Sequence, residues 1–173
     1  ESLEYQMLVM DIEQAARDKV QVLDLSSREI TVLPPEIGQL SNLQYLNLYG
    51  NYFTELPPEI GQLSNLQILE LSEVYLTELP PEIGNLTELQ QLYLSGLHTL
   101  PPEIGQLSNL RDLIVSANNL TELPPEIGNL TKLERLNAEG NQIATLPPEI
   151  GRLSNLQELY LGANNLTSVP IEI

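Results

Sequence analysis

The chain has 173 residues, with 7 Lys and Arg against 24 Asp and Glu, and a formal net charge of −17. Binding phosphates takes a face of clustered cations, so neither nucleic acid nor an anionic membrane surface is expected as a partner. There is no cysteine and one histidine, His98, which removes disulfides, thiolate nucleophiles and multi-histidine metal sites.

Residues 1–19 read as an N-terminal helical cap. Leu3, Met7 and Met10, with Leu8 and Ile12, recur at helical spacing, and Ala15 and Ala16 follow. A linker or helix belonging to an upstream domain is the alternative. From residue 20 the text repeats. Leu-Pro-Pro-Glu-Ile-Gly begins at Leu33, Leu56, Leu79, Leu100, Leu123 and Leu146, at spacings of 23, 23, 21, 23 and 23. Residues 20–173 therefore divide into about seven coils, the fourth two residues short and the last partial. Within a coil, Leu46 and Leu48 alternate with Tyr45, Asn47 and Tyr49, which predicts a short strand with an apolar and an open side. Pro57-Pro58 ends it, since proline donates no ladder bond. Ile60 and Leu63 return the chain over the core through a 3₁₀ or short helical turn, and Gly61 eases the bend. A single coil buries too little to fold alone, so the coils must stack into a parallel sheet. The outer acids Glu36, Glu59, Glu82, Glu103, Glu126 and Glu149 are expected to form an exposed, solubilising row. At the other end, Ile171 and Ile173 are expected to leave an apolar flank exposed. That points to a fragment of a longer protein or to two packed ends, so an end-to-end dimer stays open beside a monomer.

The unit Leu43-x-x-Leu46-x-Leu48-x-x-Asn51-x-Phe53-x-x-Leu56-Pro57-x-x-Ile60-x-x-Leu63 resembles the leucine-rich repeat family along nearly the whole chain. Its LPPEIGxL form is similar to the intracellular Ras-group repeats of plants and animals and to bacterial Roco-type repeat regions. The resemblance implies an α/β solenoid: a curved arc with a parallel β-sheet on the concave face and short 3₁₀, helical or irregular arms on the convex face. It also implies that Asn51, Asn118, Asn141 and Asn164 bond the turning backbone. Family members that are secreted usually carry cysteine-bearing caps, so their absence here points to a cytoplasmic protein.

The arms are near copies while the outward strand positions differ, and the variable positions are the candidate site. Reading across the coils, the third position of each strand brings Tyr45, Ile68, Gln91, Asp112, Arg135 and Glu158 together. The fifth brings Asn47, Glu70, Tyr93, Ile114 and Tyr160, and the seventh contributes Tyr49. Tyr52 and Tyr75 fall on the adjoining rim. Tyrosine offers rigid contact area with a hydroxyl, which suits recognition of a protein or peptide. The competing explanation is that aromatic and β-branched residues simply suit strands. The charges of the C-terminal half are expected to pair across strands or to form a polar rim. Irregular turns fall beside this group: Val74 replaces the asparagine, and the short fourth coil, with Gly96 and His98, has none. No catalytic, cofactor or metal site is expected, because His98 has no oriented nucleophile or acid beside it. The sequence thus points to a non-enzymatic protein-binding module. A sensing or scaffold segment of a larger signalling protein, such as a Roco-type GTPase, and an engineered binder are the alternatives.

Overall fold

The computed structural model describes residues 2–171 and 173. Helix α1 (Leu3–Arg17) starts where the Ser2 hydroxyl accepts the Tyr5 amide at 3.1 Å, with Glu4 in the first turn and Arg17 in the last. The helix buries Leu8, Ile12 and Ala15 against the first coil, whereas Leu3, Met7 and Met10 are 68, 55 and 65% exposed. The expected helix is present, but its inward face is the other apolar stripe. Both stripes keep i, i+4, i+7 spacing, so periodicity alone does not choose between them. The chosen stripe ends in the small Ala15. Across the exposed side of this junction, Arg28 Nη2 meets Asp11 Oδ2 at 2.8 Å.

Seven strands follow: β1 (Val22–Asp24), β2 (Tyr45–Asn47), β3 (Ile68–Leu71), β4 (Gln91–Leu94), β5 (Asp112–Ile114), β6 (Arg135–Asn137) and β7 (Glu158–Tyr160). They form one parallel sheet in sequence order, each residue paired with its equivalent in the next coil. A 3₁₀ turn lies between successive strands, at Pro35–Gln39, Pro58–Gln62, Pro81–Asn85, Pro102–Gln106, Pro125–Asn129 and Pro148–Arg152. The paired prolines set these turns. A residue before proline is held extended, and Pro57 sits at φ −66°, ψ 144°. The second proline then opens the turn, where its missing N–H is not needed. Among the described residues this is the solenoid architecture expected, with the core between the sheet and the turns. In the second coil Leu43, Leu46, Leu48, Phe53, Leu56, Ile60 and Leu63 are all buried. Val115 and Ala138, in strand positions otherwise held by leucine, are buried as well.

Two expectations about the outer arms are corrected. Gly61 is not there for a bend, since its φ lies outside the left-handed region. A Cβ at that position would sit 2.7 Å from the Glu82 carbonyl oxygen of the next coil. Close approach between coils therefore demands glycine, and the same holds at Gly105 and Gly128. The carboxylate row Glu36, Glu59, Glu82, Glu103, Glu126 and Glu149 is half-buried rather than exposed, because each of Glu59, Glu82, Glu103, Glu126 and Glu149 packs against the glycine of the coil before it. The Glu36 Oε2 atom is buried without a hydrogen-bond partner.

Asparagine joins the coils at their inner turns as expected. Asn51 Oδ1 accepts the amides of Arg28 and Ile30 at 3.2 and 3.0 Å. Its Nδ2 donates to the Leu25 and Leu48 carbonyls at 2.9 and 2.8 Å. Asn118, Asn141 and Asn164 repeat the arrangement. The ladder breaks at Val74, which is buried instead.

Candidate partner-binding face

Every third- and fifth-position side chain lies on the sheet face opposite the leucine core, in the order the repeat predicts. Tyr45 pairs with Ile68, Ile68 with Gln91, Gln91 with Asp112 and Asp112 with Arg135. In the second row Asn47 pairs with Glu70, Glu70 with Tyr93 and Tyr93 with Ile114. Tyr45, Asn47, Ile68, Glu70, Gln91, Tyr93, Asp112 and Ile114 are half-buried, while Tyr49 and Tyr160 are 45 and 46% exposed. Tyr45, Tyr49, Ile68, Tyr93 and Ile114 thus form a contiguous apolar surface over β2 to β5. Tyr160 stands apart on β7, separated from Ile114 by Asn137.

The rim behaves differently from the wall. Tyr52 and Tyr75 lie with ring centroids 5.9 Å apart at an interplanar angle of 55°. This tilted pair sits where the asparagine ladder is interrupted by Val74. In the shortened fourth coil Gly96 takes φ +83°, and a Cβ there would fall 2.8 Å from the Leu76 carbonyl oxygen. Leu97 is buried in the core and His98 is exposed, its amide donating to the Thr77 carbonyl at 2.9 Å. The short turn is therefore built on glycine and leaves the core continuous.

The C-terminal half of the wall is a continuous polar chain. Tyr93 Oη donates to Gln91 Oε1 at 3.3 Å, and Gln91 Nε2 donates to Asp112 Oδ2 at 3.1 Å. Arg135 Nη1 lies 3.3 Å from Asp112 Oδ1, and its Nε donates to Glu158 Oε2 at 2.5 Å. Tyr160 Oη donates to the same Glu158 oxygen at 3.3 Å. Outside this chain Arg111 bonds Glu134. Cross-strand pairing therefore accounts for these charges. The Arg135 hydrogen bond holds the Glu158 carboxyl below its ordinary range. Burial, then the Asp112 and Glu70 charges, push the Tyr93 hydroxyl up. Glu158 lies directly opposite Arg135, as the third strand position of the repeat predicts.

A second device escaped the sequence reading. The fifth-position oxygens of Asp24, Asn47, Glu70 and Asn137 accept the amide two residues on, from Ser26, Tyr49, Ser72 and Glu139, at 2.9, 3.0, 2.7 and 3.0 Å. These side chains fasten the ends of their strands. Asn47 Oδ1 is thereby engaged locally, whereas at the same position Ile114 contributes surface and Tyr93 contributes surface and its bond to Gln91.

The profile for a leucine-rich repeat region matches residues 18–117 and 102–173. The chain belongs to the leucine-rich repeat family. Solved structures agree with this leucine-rich repeat assignment. A Leptospira interrogans leucine-rich repeat protein aligns at 33% identity and TM-score 0.50, covering 92% of this chain and 59% of that one. A TDR receptor aligns at 35% identity and TM-score 0.71 over 78% of this chain and 24% of the receptor. The leucine-rich repeat ectodomain of the Arabidopsis thaliana membrane receptor kinase GASSHO1/SCHENGEN3, solved with Casparian strip integrity factor 2, aligns at 37% identity and TM-score 0.70. That match covers 78% of this chain and 17% of the ectodomain. The leucine-rich repeat chain thus spans less than two thirds of each of these structures. No curated protein matches it in sequence. Among the described residues no helix is long and apolar enough to cross a membrane, and no cluster of His, Asp and Glu is arranged to hold a metal ion.

Proposed function

We propose that this chain is a non-enzymatic recognition module that holds a segment of another protein against its concave sheet face. The observation that carries the reading is the contiguous, solvent-facing set Tyr45, Tyr49, Ile68, Tyr93 and Ile114, on a wall whose alternate residues are all core. Apolar area of this kind, rimmed by polar groups, favours a macromolecular contact. Tyrosine gives that contact rigidity and a hydroxyl at low entropic cost. A polypeptide ligand also fits what is known of a similar solenoid, since the Arabidopsis ectodomain was solved with Casparian strip integrity factor 2. Catalysis finds less support, because the single histidine, His98, is exposed in the shortened turn of the fourth coil.

The test is a displayed library of random linear peptides panned on the intact chain. Enriched peptides are expected to lose affinity by about 2 kcal/mol when Tyr45→Ala or Tyr93→Ala is introduced. Peptides that bind both variants as tightly as the parent chain would place recognition elsewhere.

A further inference from the structure

Resting on the concave-face reading, the geometry points to one chemical class of ligand: we propose that the face selects a segment carrying an arginine or lysine, whose cation seats on Glu70 between Tyr45 and Tyr93. The outward third, fifth and seventh positions of the coils carry Asp24, Glu70, Asp112, Glu139 and Glu158 against one cation, Arg135. That arginine is already engaged by Asp112 and Glu158. Among the described residues no lysine or arginine pairs with Glu70. One of its oxygens is fixed by the Ser72 amide at 2.7 Å, which orients the carboxylate and leaves the other oxygen for a ligand.

The surroundings separate Glu70 from the remaining acids. It is half-buried, whereas Asp24 and Glu139 are exposed near the two ends of the sheet. Its strand neighbour Ile68 pairs with Tyr45, and Glu70 itself pairs with Tyr93. Tyr49 follows Asn47, its other cross-strand partner, by two residues. An anion set among aromatic rings offers a cation both an ion pair and ring faces, in a setting where partial burial strengthens each. A guanidinium or ammonium also brings an alkyl stem that Tyr45 and Ile68 can cover. At longer range the net charge of −17 draws basic segments toward the wall and repels acidic ones. In the charged half of the wall Asp112 and Glu158 already share Arg135, which leaves them less open than Glu70 to a second cation.

The experiment uses the peptides enriched by the intact chain, made synthetically and measured by calorimetry. They are expected to carry Arg or Lys, and Glu70→Gln, which preserves the Ser72 bond, is expected to weaken them by about tenfold or more. Replacing the peptide's basic residue with citrulline or norleucine should cost as much in the parent chain and little in the Glu70→Gln chain, as a double-mutant cycle requires. Glu149→Gln, on the outer arms, should change affinity by less than about twofold. Peptides that depend on Tyr45 and Tyr93 but are neutral or acidic overturn the cation site and leave the concave-face reading intact. Basic peptides weakened equally by Glu70→Gln and Glu149→Gln also overturn it, since they respond to net charge alone. A library yielding no binder dependent on Tyr45 and Tyr93 overturns both.

Discussion

Asn51→Ala isolates what the asparagine ladder contributes. Asn51 is fully buried, and its amide satisfies the Ile30 N–H and the Leu25 and Leu48 carbonyls, with the Arg28 N–H as a fourth partner. Arg28 is exposed, so water can replace its bond. The other three groups lie against buried leucine and isoleucine, where an unmet donor or acceptor costs about 1–3 kcal/mol. Partial relaxation of the turn brings the expected loss to about 3–4 kcal/mol, or roughly 6–16 °C in melting temperature for a chain of this size. Asn164 makes the same kind of bonds in the last coil but is only partly buried. Water reaches its partners, so Asn164→Ala should cost about 1 kcal/mol. Urea unfolding followed by circular dichroism compares the two, with the m-value checked because repeat arrays unfold with limited cooperativity. A loss below about 1 kcal/mol for Asn51→Ala, or equal losses at the two positions, would show that burial of the amide's partners is not what the ladder supplies.

Four further predictions use other contacts. Gly128→Ala places a Cβ 2.5 Å from the Glu149 carbonyl oxygen and should destabilise by about 1–3 kcal/mol, whereas Gly162→Ala meets only the flexible end of Glu139 at 3.4 Å and should be close to neutral by thermal melting. Ile12→Ala should cost about 2–5 kcal/mol and Met7→Gln under about 0.5 kcal/mol, which denaturant midpoints will separate. Because the Tyr93 hydroxyl is pushed up in the folded chain, its contribution is complete below the ordinary tyrosine range and is lost as pH rises through the raised value. Tyr93→Phe should flatten that alkaline decline, and ultraviolet titration should lose the ionisation displaced above the ordinary tyrosine range. Glu158 has the opposite sign, held low by Arg135, so its contribution is present above the ordinary carboxylate range and is lost as pH falls through the depressed value. Arg135→Gln should return its NMR-monitored titration to the ordinary range.

The fold was readable because its determinants repeat. Leu46 and Leu48 point inward, Pro57-Pro58 leaves the sheet and Ile60 returns to the core, all by local rules restated in every coil. What escaped were contacts between coils. Gly61 and Glu82 lie 21 residues apart, and only stacking shows that the glycine makes room for the acid's backbone. The helix stripe failed for a related reason: Leu3-Met7-Met10 and Leu8-Ile12-Ala15 have the same spacing, and the surface they meet decides between them. In the candidate site, the alternation that put Tyr45 and Tyr93 outward was legible from the strand period. The local use of Asn47 and Glu70 as fasteners at the strand ends was not, because it depends on how the backbone turns after the strand.

The in-register pairing of β1 through β7 has a mechanical corollary. Among the described residues no substantial contact leaps over a neighbouring coil, so each layer knows only the layers above and below it. A middle layer could therefore be duplicated or excised with its joints left matched, lengthening or shortening the wall in steps of about 4.8 Å while the remaining layers keep their seats. Lineages that tinker with such a molecule can change the reach of its inner surface without inventing new packing.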